Sequence, residues 1–267
     1  LHFIMGPGGL VSFGHAAYYG LGAYASALLV HYLETPMAAA MVAAPIVAGL
    51  GAMVFGWFSV RLTGVYFAML TLAFAQIGWS VVFQWNEFTY GDDGILNIWP
   101  SDWLSNPLIY YYFTLFLVGV SIVVLRRTLF TPFGYMMRAG RDSPLRADAI
   151  GIDVQRQQWF AFIFAGMFAG LAGSLYVFSK GSVFPDQMAI PQSIDGLMMV
   201  LLGGVKTLTG PIVGAAALTG LTDWLSSNEI WFWRSVLGCV ILGLVILFPQ
   251  GIVGFVRDKF EPAETRE

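Results

Sequence analysis

Four polar side chains stand inside stretches of the sequence that are otherwise apolar, and they are the first candidates for chemistry. They are His15, Thr71, Gln76 and Asp195. Burying a strongly polar group among apolar residues is costly unless it faces a cavity or a partner. Such groups could hold a polar solute or an ion during its passage through an apolar protein. Simpler explanations stand beside this one: His15 as a packed, hydrogen-bonded residue, and Asp195 with Ser193 as a helix N-terminal cap.

Catalytic, metal and nucleotide sites find no support in the sequence. Lys206-Thr207 follows a Gly-rich stretch, but Val205 stands where a Walker A loop needs a glycine directly before the lysine. All three histidines fall within the first 31 residues, without the spacing of metal ligands. No nucleophile–base–acid set is recognisable. We therefore expect no catalytic residue, no metal site and no cofactor bound by this chain itself.

The elements that must position these polar groups are membrane helices. The chain is 57% hydrophobic and only 11% charged, whereas a soluble domain carries roughly 25% charged residues. A helix of ~20 mostly apolar residues crosses a bilayer. Five windows of 22–26 residues contain no Asp, Glu, Lys or Arg, and each predicts one such helix: 35–60, 62–86, 103–125, 157–179 and 235–256. Another helix is expected from Ser12 to His31, after a Gly-Pro-Gly-Gly break.

The region 193–226 has a different pattern. Two shorter apolar runs, 193–203 and 211–226, flank a stretch rich in glycine and ending in proline. Short, interrupted segments in a membrane chain are typical of broken helices beside a permeation path. The whole pattern predicts an all-α, polytopic fold with about eight transmembrane segments. We expect a single permease domain over residues 1–256, a cytoplasmic tail over 257–267, and at least one further helix upstream of Leu1.

Small residues four positions apart recur in the predicted helices. The pairs are Gly166 and Gly170, Ala169 and Gly173, Ala16 and Gly20, and Gly210 and Gly214. They place small side chains on one helix face, where they allow close helix crossings. We expect most of them to serve packing within the chain, although a contact with a second subunit is also compatible with the pattern.

Positive charge is concentrated in one segment of the chain. Six of the 13 Lys and Arg residues, all Arg, lie between residues 126 and 156. Positive charge stays on the cytoplasmic side of a membrane. The loops 85–102 and 180–192 are then external, and both ends of the chain are cytoplasmic. A structured basic loop of this kind indicates a docking surface for a cytoplasmic partner, although an ordinary solvated loop would show the same charge.

A helix of about two turns is predicted inside this loop, over residues 144–150. Ser143-Pro144 supplies a preferred N-cap followed by a preferred first helical residue. Gly151 suits the left-handed position just past the end. Leu145 and Ala149 share one face of the helix. A helix this short is marginal alone in water, so it needs something to pack on.

Several stretches together match one family. They are Ser12-Phe13-Gly14-His15 continuing to 24, 61–72, Gly91-Asp92-Asp93-Gly94, 138–152, 164–176 and 201–211. With these motifs the chain resembles the LivM-type permeases of ATP-binding-cassette importers, which take up branched-chain amino acids and related small solutes. Each motif alone is a weak signal, but together they cover about residues 8–256.

The resemblance implies a fold, a location and a set of partners. The fold is that of a type II-importer-like ABC permease in the bacterial inner membrane. The partners are a second homologous permease, two ATP-binding subunits that hold ATP and Mg, and an external substrate-binding protein, with no nucleic acid. The loop over about 127–156 would be the coupling loop, and the ATPase-coupling residues would be Arg141, Ser143, Pro144, Leu145, Arg146, Ala147, Asp148, Ala149 and Gly151. Among these, Arg141, Arg146 and Asp148 would make the polar contacts, and Leu145 and Ala149 the apolar ones.

Two positions depart from many relatives of that family. Gln76 stands where many have an acidic residue, and Asp195 where they often have Glu. With His15 and Thr71, these residues are the candidates for the translocation path. The departures leave the solute open: a branched-chain amino acid, or urea, a short amide or another small organic solute carried by the same architecture. A stand-alone, ion-coupled secondary carrier is the alternative from a different class.

Overall fold

The computed structural model describes residues 1–227, 233–247 and 250–255. Helices account for most of them. The chain divides into two compact units, one over residues 3–193 together with Leu1, the other from residue 194 onward together with His2. The predicted single domain over 1–256 stays a prediction, and the predicted tail over 257–267 lies outside the described residues.

Nine helices lie along the first 180 residues. They are α1 (His2–Met5), α2 (His15–Leu33), α3 (Met37–Ser59), α4 (Gly64–Gln84), α5 (Asn86–Thr89), α6 (Pro107–Leu129), α7 (Pro132–Asp142), α8 (Pro144–Ala149) and α9 (Val154–Lys180). Two short 3-10 helices, Gly91–Asp93 and Asp102–Leu104, lie between α5 and α6, and a third, Pro185–Met188, follows α9.

Four of these helices, α3, α4, α6 and α9, are long and apolar enough to cross a membrane. They coincide with four of the five uncharged windows, and α2 begins three residues after the predicted Ser12. The all-α, multi-pass architecture is therefore confirmed. The total of about eight crossings stays a prediction, because among the described residues only these four helices are both long and apolar enough.

Helices α2, α3 and α9 pack closely at the centre of the first unit. A methyl group on Gly22 would overlap the backbone of Gly170, and methyl groups on Gly166 and Gly170 would overlap Ala52 and Ala48. Close approach of this kind supplies van der Waals contact where lipid removes the hydrophobic drive between helices. The prediction that Gly166 and Gly170 serve packing within the chain is confirmed.

The loops predicted to be external meet at one end of this unit. Strand β1 (Ile95–Leu96) pairs antiparallel with β2 (Ser182–Val183), and the Ile98 amide donates to the Gly181 carbonyl at 3.0 Å. This pairing places the loops 85–102 and 180–192 on the same side, as the charge pattern predicts. The tryptophans at 85, 99 and 103, before and after β1 in the sequence, are exposed, which is typical of a membrane–water interface.

The second unit begins within α10 (Ile190–Gly203) and continues with α11 (Gly210–Ser227) and α12 (Trp233–Leu247). The two predicted short helices are thus present, and the break between them falls at the predicted glycines. A methyl group on Gly203 would overlap the backbone of Gly210. The chain therefore turns too tightly at this point for larger residues.

Candidate functional site

The predicted cytoplasmic helix is present as α8, and its first turn forms as the sequence indicates. Ser143 has an extended backbone (φ −158°, ψ 93°), and Pro144 is the first helical residue. The Ala147 amide donates to the Ser143 carbonyl at 3.0 Å. The Ser143 hydroxyl makes no capping hydrogen bond, so its contribution is the backbone geometry of the N-cap position.

The end of α8 is closed by a Schellman motif around Gly151. The Gly151 amide donates to the Asp148 carbonyl at 2.9 Å, and the Ile152 amide donates to the Ala147 carbonyl at 3.0 Å. Gly151 has φ +86°, a left-handed conformation that glycine adopts without a Cβ penalty. The helix ends at Ala149, one residue before the predicted end, because Ile150 occupies the C-cap.

The exposed surface of α8 is apolar at its tip. Leu145 is 85% exposed and Ile150 is 75% exposed, while Ala149 is exposed between them. We call these three residues the α8 tip. Ala147, which the sequence placed among the contact residues, is only 2% exposed and anchors the helix. The sequence analysis did not predict Ile150 as a contact residue, because Ile150 lies one position past the i, i+4 pair formed by Leu145 and Ala149.

The three polar residues predicted on this surface divide into two kinds. Arg146 and Asp148 are exposed, as a docking role requires. Arg141 is exposed as well, but its guanidinium bonds within the chain: its Nη1 donates to the Gly6 carbonyl at 2.7 Å, and its Nε and Nη2 donate to Asp142 at 2.9 and 2.8 Å. The guanidinium is thus committed largely to this chain rather than to a partner.

An open cavity of about 410 Å³ adjoins the end of α8. Its lining residues are Asp148, Gly151, Ile152, Asp153, Val154 and Gln155. Asp153 also caps α9, accepting a hydrogen bond from the Arg156 amide at 2.9 Å. This surface therefore combines an apolar tip with an adjacent cavity that carries two carboxylates.

Two of the predicted path residues, His15 and Thr71, are buried at the start of α2. His15 is 6% exposed, and its ring packs edge-on against Tyr18 and Phe162. Within the described residues neither ring nitrogen makes a well-formed hydrogen bond, although the Ala165 backbone lies nearby. The expectation of a packed residue is therefore met, and the expected hydrogen bond is not seen.

The start of α2 is held by side chains from distant parts of the chain. Gly14 occupies its N-cap and has no side chain to offer. The Thr71 hydroxyl accepts from the Phe13 amide at 3.3 Å, and the Ser193 hydroxyl accepts from the Ala16 amide at 3.0 Å. Ala16 lies in the first turn, so Ser193 satisfies an amide that a helix N-terminus otherwise leaves unpaired, whereas Thr71 holds the residue just before the N-cap. The start of α2 thus depends on α4 and on Ser193.

The structure corrects the simpler explanation given for Ser193 and Asp195. Helix α10 begins at Ile190, so both residues lie inside it and neither caps its N-terminus. Ser193 is 3% exposed and caps α2 instead. Asp195 is exposed. No signal in the sequence points from Ser193 to a helix about 180 residues earlier.

The fourth candidate, Gln76, lies on the exposed side of α4. One turn later comes Ser80, which accepts a hydrogen bond from Gln84 at 2.6 Å. The opposite side of this helix holds the buried Phe67, Thr71 and Ala75. The structure therefore separates Gln76 from Thr71, which the sequence had grouped together. Among the described residues, no group of three or more His, Cys, Asp or Glu could hold a metal ion.

Comparison with known families agrees with this geometry. The family model described as "Branched-chain amino acid transport system / permease component" matches residues 1–248. The chain belongs to this family. It is a permease, a transport subunit rather than an enzyme.

The permease is similar to two well-covered relatives. They are the high-affinity branched-chain amino acid transport system permease proteins LivM of Escherichia coli and of Salmonella typhimurium, each 27% identical over 98% of this chain and 68% of its own length. The guanosine ABC transporter permease protein NupQ of Bacillus subtilis is 25% identical over 43% of this chain and 36% of its own length. No solved structure matches the permease.

Proposed function

We propose that this permease forms the membrane channel of an ATP-binding-cassette importer for branched-chain amino acids or a related small polar solute. It would pair with a second homologous permease in the bacterial inner membrane. Two ATP-binding subunits, which hold the ATP and Mg, would dock on the cytoplasmic side. An external substrate-binding protein would deliver the solute to the side that carries β1 and β2. The two LivM relatives, matched over 98% of this chain and 68% of their own length, support the class of solute.

The observation that carries this proposal is the α8 tip. Helix α8 exposes 85% of Leu145 and its C-cap exposes 75% of Ile150, so apolar area faces water in the basic segment that we assign to the cytoplasmic side. Burying a Leu or Ile side chain stabilises a contact by about 1.5–3 kcal/mol. An ATPase cleft that receives the tip would recover this free energy, with Arg146 and Asp148 at its rim.

The test is the substitution Leu145→Glu. A carboxylate at the tip would have to be desolvated in an apolar cleft, so we expect the permease to reach the membrane but to lose its ATPase subunits on purification. Leu33→Glu is the matched control, because Leu33 is 65% exposed at the other end of the first unit. Normal co-purification of ATPase with Leu145→Glu would refute the docking assignment.

We further propose that the exposed side of α4 lines the translocation path. An amide at membrane depth is unfavourable against lipid, so Gln76 is better placed against water, solute or the second permease. The buried His15 and Thr71 would serve the path indirectly, by holding the start of α2. Asp195, exposed on α10, is proposed as a path residue of the second unit.

Cysteine labelling tests this assignment. In a background with Cys239→Ala, which removes the only cysteine of the sequence, Gln76→Cys should react with a charged, membrane-impermeant maleimide, and solute should slow the reaction. Phe116→Cys is the control, since Phe116 is 68% exposed on the apolar α6 and should face lipid. Equal reactivity at the two positions would remove α4 from the path.

A further inference from the structure

The segment 6–14, here called the inner loop, connects α1 to the buried start of α2 and also contacts α7. At its first residue, the Gly6 carbonyl accepts from Arg141 of α7 at 2.7 Å. Near its end, the Phe13 amide donates to Thr71 of α4 at 3.3 Å. The inner loop is therefore hydrogen-bonded near both of its ends, to α7 at one end and to α4 at the other.

Arg141 holds the inner loop by shape as well as by hydrogen bonding. Gly9 has φ +67°, and a Cβ added there would lie 2.7 Å from Cγ of Arg141, so the stem of the arginine lies against the loop backbone. Asp142 accepts from Nε and Nη2 of the same guanidinium. Charge-assisted hydrogen bonds of this kind are stronger than neutral ones and fix orientation. The guanidinium is thus aimed at Gly6.

Apolar contacts join the same two parts. Phe3 stacks on Phe133 of α7 with ring centroids 6.5 Å apart, and Ile4 is fully buried. A Cβ on Gly8 would lie 3.3 Å from the terminal methyl of Met137. Helix α1, the inner loop and α7 therefore pack as one body.

We propose that the inner loop transmits movement of α8 to the inner end of α2, with Arg141 as a positioning residue. The inference rests on the proposed docking of an ATPase at the α8 tip. Only Ser143 separates α7 from α8, so a displacement of α8 is passed to α7 and through Arg141 to Gly6. The start of α2 is susceptible because the Phe13 amide just before it and the Ala16 amide in its first turn are held by the distant Thr71 and Ser193 rather than by a local side-chain cap.

The experiment uses the complete importer in lipid, with hydrogen–deuterium exchange at residues 13–17 measured with and without a non-hydrolysable ATP analogue. In the wild type we expect the analogue to change this exchange. In Arg141→Met the ATPase should still co-purify, but the change at residues 13–17 should be lost and uptake of leucine should fall about tenfold, within the usual range of coupling between sites. Arg141→Lys should be intermediate, because it retains a donor for Gly6 but not the fork to Asp142.

Gly9→Ala changes the partner of Arg141 in the same contact, because the added Cβ would overlap the arginine stem. It should likewise abolish the change in exchange at residues 13–17, and it provides the test if Arg141→Met folds poorly. Arg61→Met is the matched control, since Arg61 is an exposed arginine outside the proposed coupling loop and should leave exchange and uptake unchanged. Loss of the ATPase from Arg141→Met would make Arg141 a docking residue and overturn the proposal. Unchanged exchange in Arg141→Met and Gly9→Ala would overturn it as well. Retention of ATPase by Leu145→Glu would instead count against the proposed docking site.

Discussion

Helices α9 and α6 look alike in sequence and differ sharply in the structure. Both are apolar enough to cross a membrane, and α6 has the higher mean hydropathy, 2.3 against 1.8. Yet half of the apolar window of α9 is buried within the chain, and none of that of α6 is. The difference lies in residue size: α9 presents Gly166, Gly170 and Gly173 to its neighbours, whereas α6 presents large side chains to its surroundings. In lipid, small residues rather than hydropathy decide which helix is central.

The largest expected effect comes from filling the centre of the packing. Gly22→Val would place side-chain atoms where the Gly170 backbone lies, and overpacking a tight contact costs about 1–3 kcal/mol, occasionally more. We expect a large fall in the apparent Tm of the detergent-solubilised permease, or loss of the folded form. Gly119→Val on α6 is the control, because nothing lies within 4 Å of its added Cβ. Equal losses for the two variants would contradict the comparison.

A smaller effect is expected from the buried hydrogen bond between α2 and α9. The Ser26 and Ser174 hydroxyls are 2.8 Å apart, and both residues are fully buried. Ser26→Ala should lower the free energy of unfolding by about 0.6–2 kcal/mol, the range for such bonds in membrane proteins. Ser121→Ala on α6 should change little, since that hydroxyl bonds only back to the Leu117 carbonyl of its own helix. Denaturant titration in mixed micelles measures both, and a larger loss for Ser121→Ala would reverse the expected order.

The smallest effect concerns the tie between the two helices. The Tyr110 hydroxyl, near the first turn of α6, donates to the Leu175 carbonyl of α9 at 2.5 Å. Tyr110→Phe should cost about 0.5–1.5 kcal/mol and increase amide exchange mainly in the first turns of α6. Tyr111→Phe is matched in chemistry, but Tyr111 is 60% exposed, so it should have no effect. A uniform rise in exchange along α6 after Tyr110→Phe would show that the tie is not local.

The sequence predicts those parts of the permease that depend on local signals. Helix α8 was placed to within one residue, because its N-cap, its first proline and Gly151 act on neighbouring backbone. The contacts of Arg141 with Gly6 and of Ser193 with Ala16 could not be predicted, because they join residues 135 and 177 positions apart. The same limit explains why Ala147 was wrongly predicted to be a contact residue. Its burial depends on neighbouring helices, which the local sequence of α8 does not reveal.

One further consequence follows from the continuity of α9. At about 1.5 Å per residue, its 27 residues form a rod of about 40 Å, longer than the ~30 Å of hydrocarbon in a bilayer. Its first turn lies beside α8, and its last residue is followed at once by β2, which pairs with β1. A rod without a proline or a break tilts as a whole. In the predicted orientation, a displacement at the α8 end of this rod would therefore move β2 and the loop paired with it on the opposite face of the membrane, without any change of secondary structure in between.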